Sequence, residues 1–360
     1  MSDNRLRDII FDEIRGSGPM PFSRYMELCL YHPWFGYYQR GAAVTGREGD
    51  FFTAPHVHGL FGTVISRWLT NRLEDLKADS PALLELGPGN GQLIQDIMDD
   101  WKSSGDDSAC RVELVEGSPH QRNALSKRFH NRSIRVWDPD DWESIEPFDG
   151  VVLANEFFDA LPLRVIAREG GELKEVFIGL REENMVEILR PLDVKPLGGV
   201  LSGVLDYLPD GQRMEFSDAW RTWLKRIFSK LQRGAVLVID YGDATEALTV
   251  PWRSSGTLRC YRKHSVDGDP YTLPGEKDIT AHVNFSLLEK WAIEEGFARE
   301  SFITQSSFLT RAGILDLLVE RMEGREGDAK AVQEWLTVKN LIHDEGGMGE
   351  TFKVMVLVKQ

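Results

Sequence analysis

One stretch, Leu83-Leu84-Glu85-Leu86-Gly87-Pro88-Gly89-Asn90-Gly91, limits the folds open to this chain more than any other. A short apolar run meets three glycines at alternate positions, and a helical pattern starts at Gln92, so the stretch predicts strand, tight turn and helix in succession. Glycines let the backbone bend sharply and come close to a ligand, and the first turn of a helix points unsatisfied N–H groups at whatever is bound there. A unit of this kind opens a parallel sheet.

The segments that follow repeat the alternation. Short apolar runs at Ala82 to Leu86, Arg111 to Glu116, Ser133 to Trp137, Gly150 to Ala154 and Ala235 to Asp240 predict five strands, with helices from Gln92 to Trp101, Pro119 to Phe129 and Asp218 to Leu231 among them. Two further strands, Ala298 to Thr304 and Phe352 to Lys359, complete a seven-stranded, doubly wound α/β sheet of Rossmann-like type with an antiparallel edge hairpin. Residues 1–80 read as a helical N-terminal region contributing to the site wall, with helices over Leu6 to Ile14, Pro21 to Leu30 and Val57 to Leu76. Residues 81–360 read as the core, with insertions at about 163–217, 249–284 and 313–343. Leu163 to Leu180 reads as a hairpin turning at Arg168-Glu169-Gly170-Gly171, Pro251 to Asn284 as a Gly/Pro/Tyr-rich loop region, and Gly313 to His343 as helical.

Composition narrows the partners. A net charge of -15 repels a polyanion, so nucleic acid is disfavoured and a cationic group on another protein is favoured. No run approaches the ~18 apolar residues of a membrane span, so no integral membrane segment is expected. Three cysteines, Cys29, Cys110 and Cys260, include no Cys-x-x-Cys pair and suit reduced thiols rather than a disulfide framework or a zinc site. Early acids (Asp3, Asp8, Asp12, Glu13) and no apolar h-region predict neither a secretory signal nor a transit peptide, hence the cytoplasm.

Spacing separates the ligands that a glycine turn could hold. Here the glycines fall as G-x-G-x-G, not the G-x-G-x-x-G of dinucleotide folds, and Glu85 stands two positions ahead of them. A pyrophosphate is disfavoured beside that acid, whereas the sulfonium and ammonium of S-adenosyl-L-methionine tolerate or welcome it. Glu85, Gly87, Pro88, Gly89, Asn90 and Gly91 are therefore placed on that cofactor, and Glu116, ending the second strand, on its ribose hydroxyls. A ligand-free packing turn is the rival.

The fourth strand runs into Asn155-Glu156-Phe157-Phe158-Asp159-Ala160-Leu161-Pro162, across the expected crevice from the glycines. Asn155 is placed with the cofactor residues, and Glu156 and Asp159 as a catalytic pair. A guanidinium is methylated only if one nitrogen is aligned and loses a proton, and paired carboxylates do both. The competing expectation is that Asn155 and Asp159 cap a following helix. Asp240 and Tyr241, ending the fifth strand, and Asp50 and Thr53, in Gly49-Asp50-Phe51-Phe52-Thr53-Ala54-Pro55, are candidate walls of the site. His56 and His58 lack a third ligand and no metal site is expected; Arg253, Arg259, Arg262 and Lys263 suit a solvated face.

Taken together, Gly18-Pro19-Met20-Pro21-Phe22, Leu30-Tyr31-His32-Pro33, Gly36-Tyr37-Tyr38, the 49–55 and 85–89 stretches, residues 155–162, Asp240-Tyr241-Gly242, Gly256-Thr257-Leu258-Arg259-Cys260-Tyr261 and Asp278-Ile279-Thr280-Ala281-His282-Val283 resemble the MidA-type methyltransferases over nearly the whole chain. The resemblance implies a class I methyltransferase fold and symmetric dimethylation of an arginine on a core subunit of respiratory complex I, since mitochondrial members of that family are arginine methyltransferases that assist complex I assembly. Asn284 stands where the family's Asp-x-Thr-x-x-Val-Asp-Phe pattern has an acid. Methyl transfer to a protein arginine is thus the leading expectation. Its rivals are a non-catalytic assembly factor using the same scaffold and a small-molecule methyltransferase.

Overall fold

In the computed structural model, the strand Ala82–Leu86 lies mid-sheet with all five residues buried, the burial expected of a parallel strand covered on both faces. The model describes residues 5–39, 59–105, 110–130, 132–194, 198–262, 265–325, 328–343 and 347–360. They fall into two units: a sheet unit (Thr45–Phe157, Arg226–Asp240, Gly296–Gln360) and an accessory unit (Met1–Val44, Phe158–Lys225, Tyr241–Glu295).

Across the sheet unit the strands run Ala298–Thr304, Phe352–Lys359, Leu231–Asp243 (as far as Asp240), Phe148–Asn155, Ala82–Leu86, Arg111–Val115 and Ile134–Trp137. The last five pair in parallel, and the two edge strands at the other end pair antiparallel. These are the seven strands that the sequence predicts. The chain leaves Ala82–Leu86 to one side for two strands and resumes on its other side at Phe148–Asn155, which is where an open α/β sheet parts its loops to admit a ligand. Register aligns the carboxyl ends: Leu86 faces Val115 on one side and Ala154 on the other, and Ile239 faces Asn155.

The helices are set by local chemistry. Gln92–Ser104 stops at Gly105, whose left-handed conformation returns its N–H to Lys102 and Trp101 carbonyls. Pro119–Arg128 starts with proline in its first turn, and the Ser118 hydroxyl accepts from the Gln121 N–H at 3.3 Å. Gly59–Leu76 lies so near Gln92–Ser104 that a Cβ at Gly62 would sit 2.4 Å from that of Asp96.

The accessory unit is built on an antiparallel sheet in the order Met20–Pro21, Glu172–Arg181, Arg164–Glu169, Arg213–Phe216, with Asn184–Pro191 also paired to Glu172–Arg181. Gly170 and Gly171, with φ of 61° and 80°, make the predicted hairpin turn, which needs positive φ at both central residues. The 251–284 region departs from the expected loop: Arg259–Arg262, Ser265–Asp267 and Asp278–Thr280 form a small sheet of their own. Its strands are three or four residues long with no room for a visible alternation. Asn284 caps the helix Phe285–Glu295, accepting from the Leu287 N–H at 3.0 Å and from the Thr245 hydroxyl at 3.0 Å, work that a neutral amide oxygen does as well as an acid. Among the described residues no helix is long and apolar enough to cross a membrane, and no acid, histidine or cysteine cluster could hold a metal ion.

Candidate functional site

Three left-handed glycines at alternate positions shape the turn after Ala82–Leu86: Gly87, Gly89 and Gly91 have φ of 63°, 54° and 76°. Their surroundings differ. A Cβ on Gly91 would lie 2.6 Å from Leu125 and one on Gly87 3.0 Å from Phe157, whereas one on Gly89 would meet nothing within 4 Å. Gly91 is thus closely packed on its Cβ side, and Gly89 borders open space among the described residues. The turn is pinned by its own bonds: the Gly87 N–H donates to the Val115 carbonyl at 2.9 Å, the Gly91 N–H to the Pro88 carbonyl at 2.8 Å, and the Gln92 N–H to Asn90 Oδ1 at 3.0 Å.

Glu116 follows the neighbouring strand and is nearly buried. Its Oε1 accepts from the Ser118 N–H at 2.7 Å and its Oε2 from the Gly89 N–H at 3.2 Å. A carboxylate offers about four lone-pair sites, so two bonds leave capacity for the hydroxyls of a ribose. Burial pushes this carboxyl up to about 7 against the opposing pull of those hydrogen bonds. Glu85 is more extreme: its Oε2 is buried with no hydrogen-bond partner among the described residues, and burial, reinforced by the Glu116 charge, pushes it up to about 8. A buried acid of this kind is a place where a cation is welcome.

At the end of Phe148–Asn155, in register with the glycine turn, Asn155 Nδ2 donates to Glu156 Oε1 at 3.3 Å while its Oδ1 is buried with no hydrogen-bond partner among the described residues. Glu156 has a φ of 50°, rare for a side chain with a Cβ, and its N–H is held by the Ile239 carbonyl at 2.8 Å. Strain of this sort costs about 1–3 kcal/mol and persists where surrounding structure over-determines it, commonly at functional sites.

No helix follows, so the capping alternative for Asn155 and Asp159 is set aside: residues 156–163 are turn and coil. Asp159, in the accessory unit, instead accepts from the Thr280 hydroxyl at 2.8 Å. The strand expected to stop at Asp240 runs on to Asp243, with Gly242 and Asp243 paired in parallel to Val283 and Asn284; Asp240 is fully buried and Tyr241 half-buried. Asp50, Thr53, His56, His58 and Lys263 lie outside the described residues. Spacing along the chain missed Thr280, whose bond to Asp159 joins positions 121 apart; the only signal was its place in the 278–283 stretch.

Residues 64–303, more than half of the chain, match the model of the family described as "Putative S-adenosyl-L-methionine-dependent methyltransferase". The chain belongs to this family. Its similarity to solved structures includes a crystal structure from Burkholderia thailandensis bound to S-adenosyl-homocysteine, with a TM-score of 0.86 and 30% identity over 99% of this chain and 92% of that one. Among curated proteins it is 27% identical to the Drosophila melanogaster mitochondrial protein arginine methyltransferase NDUFAF7 homolog, over 96% of this chain and 83% of the relative. It is 28% identical to the Bos taurus NDUFAF7, over 98% and 83%.

As a class I S-adenosylmethionine-dependent methyltransferase, the chain takes S-adenosyl-L-methionine as its cofactor, and the residues present fit that group. The orphaned Glu85 Oε2 and Asn155 Oδ1 supply buried acceptors, the space beside Gly89 admits close backbone approach, and Glu116 keeps lone pairs for a diol.

Proposed function

We propose that this methyltransferase modifies an arginine side chain of a client protein. The observation that carries the proposal is Glu156, an acid held in a strained backbone conformation at the strand end in register with the glycine turn. The names of the curated relatives, protein arginine methyltransferases over most of the chain, support it. So does the net charge of -15, which draws a cationic client side chain.

Glu85, Gly87, Pro88, Gly89, Asn90, Gly91 and Asn155 would hold the methionyl part of the cofactor and Glu116 its ribose. When bound, the cofactor supplies a methyl group already activated by its sulfonium. Glu156 accepts N–H bonds from the guanidinium, orients one nitrogen and takes up the proton displaced as the new N–C bond forms; Asp159, three residues on, assists. Asp240 and Tyr241, with Asp50 and Thr53, are proposed to wall the site. Because the methyl donor is pre-activated, positioning is the main work of the protein.

The client is proposed to be a subunit of a complex I-type respiratory assembly, dimethylated symmetrically, in the cytoplasm of a bacterium. Cys29 and Cys260 are buried free thiols, as a reducing compartment keeps them. Glu156→Gln tests the proposal: cofactor affinity should be kept and turnover lost, and unchanged turnover removes Glu156 from the chemistry.

A further inference from the structure

Three consecutive residues, Phe158, Asp159 and Ala160, are each held by a side-chain donor from a different element of the accessory unit. Trp220 Nε1 donates to the Phe158 carbonyl at 2.8 Å, the Thr280 hydroxyl to Asp159 Oδ2 at 2.8 Å, and the Tyr31 hydroxyl to the Ala160 carbonyl at 2.7 Å. Two backbone bonds fix the segment, while the middle one reaches the carboxylate itself. Beside it, Asp278 precedes Thr280 by two positions on the same strand, so both side chains share a face. Asp278 Oδ1 accepts from the Tyr38 hydroxyl at 2.8 Å, and the Tyr38 ring packs on Tyr31 at 5.4 Å. Phe158, Asp159, Trp220, Asp278 and Thr280 are buried, and Tyr31, Tyr38 and Ala160 are half-buried.

We propose that Thr280 is the positioning residue for Asp159, and that Asp278, held by Tyr38, is the neighbouring charge against which that carboxylate is set. The inference rests on the reading of Asp159 as an acceptor for the client's cation. A hydroxyl donated to one carboxylate oxygen fixes the plane of the group and stabilises its charged form. A second buried acid on the same face works in the opposite sense, favouring uptake of a proton. Tyr38 registers both acids, its phenol being pushed well above its ordinary range by burial first and then by the charge of Asp278, with further contributions from Tyr31 and Asp159. Tyr38 thus couples to Asp278, Tyr31 and Asp159 alike; His282, two residues beyond Thr280, is engaged with Arg253 at 3.2 Å. The donated hydroxyl and the neighbouring negative charge together set how readily the Asp159 carboxylate is ionised and so holds a guanidinium.

The test is the pH profile of kcat/KM for methyl transfer by the full chain, with thermal unfolding and S-adenosyl-homocysteine affinity measured on every variant. Thr280→Val, nearly isosteric, should lower kcat/KM roughly tenfold and move the acid limb upward by about one pH unit, and Thr280→Ser should restore both. Asp278→Asn should move the limb the other way, to lower pH. Loss of rate in Thr280→Val with an unmoved limb would show a merely structural role and overturn the proposal, as would wild-type behaviour. If Thr280→Val does not fold, the Asp278→Asn profile decides: a downward limb supports the proposal and an unmoved one overturns it. The acceptor identity is read separately, on the wild type. Should it methylate only small molecules, the arginine reading fails, and the Thr280 comparison is run on that acceptor.

Discussion

The Oε2 of Glu116 accepts the Gly89 N–H at 3.2 Å, so the acid ending one strand clasps the turn that follows its neighbour. The same carboxylate therefore shapes the glycine turn and is the one proposed to take the cofactor's ribose. Glu116→Ala removes both functions, and calorimetry should show S-adenosyl-homocysteine bound about 10- to 100-fold more weakly, the loss of one charged hydrogen bond or a little more. Affinity within twofold of wild type would separate Glu116 from the cofactor.

The two buried acids of the sheet unit also make stability depend on pH. Glu85 and Glu116 are raised from 4.5 to about 8 and about 7, so the folded chain holds protons that the unfolded chain has released. Their contribution is full below about pH 4.5 and is lost as pH rises through 7 to 8. The melting temperature of the cofactor-free protein should fall between pH 6 and 8, and Glu85→Gln should flatten part of that fall. An equal slope in the variant would contradict the assignment to Glu85.

The glycines of the turn should separate by function. Gly91→Ala combines a left-handed backbone with contacts at 2.6 Å to Leu125 and 2.9 Å to Phe129, and should cost roughly 2–4 kcal/mol of stability. Gly89→Ala meets nothing within 4 Å among the described residues and should cost only about 1 kcal/mol while weakening the cofactor. Gly87→Val should abolish cofactor binding. Chemical denaturation with parallel calorimetry checks all three, and Gly89→Ala with normal affinity would contradict the close approach.

The sheet was legible because its signals are local. Each strand is an apolar run next to a periodic helix, and the turn at Gly87 to Gly91 announces itself by glycine spacing. Asn184–Pro191 and Arg213–Phe216 were not read, since the first alternates half-buried Met185, Val186, Ile188 and Leu189 with Glu187 and Arg190, and the second has four residues. Glu85 and Glu116 were visible as acids near the ends of strand patterns, Glu85 within Ala82–Leu86 and Glu116 just past Arg111–Val115. The strain at Glu156 and the Thr280 bond to Asp159 were not, because backbone dihedrals and contacts across 121 residues leave no periodicity to detect.

The central claim is that Glu156 enables methyl transfer to protein arginine, and labelled-methyl transfer to proteins from cells lacking this chain tests it most directly. With wild-type protein, mass spectrometry should find the label on arginine of a client protein, and Glu156→Gln should reduce it by about 100-fold or more while binding S-adenosyl-homocysteine normally. Label confined to small molecules, or undiminished in Glu156→Gln, would contradict the account.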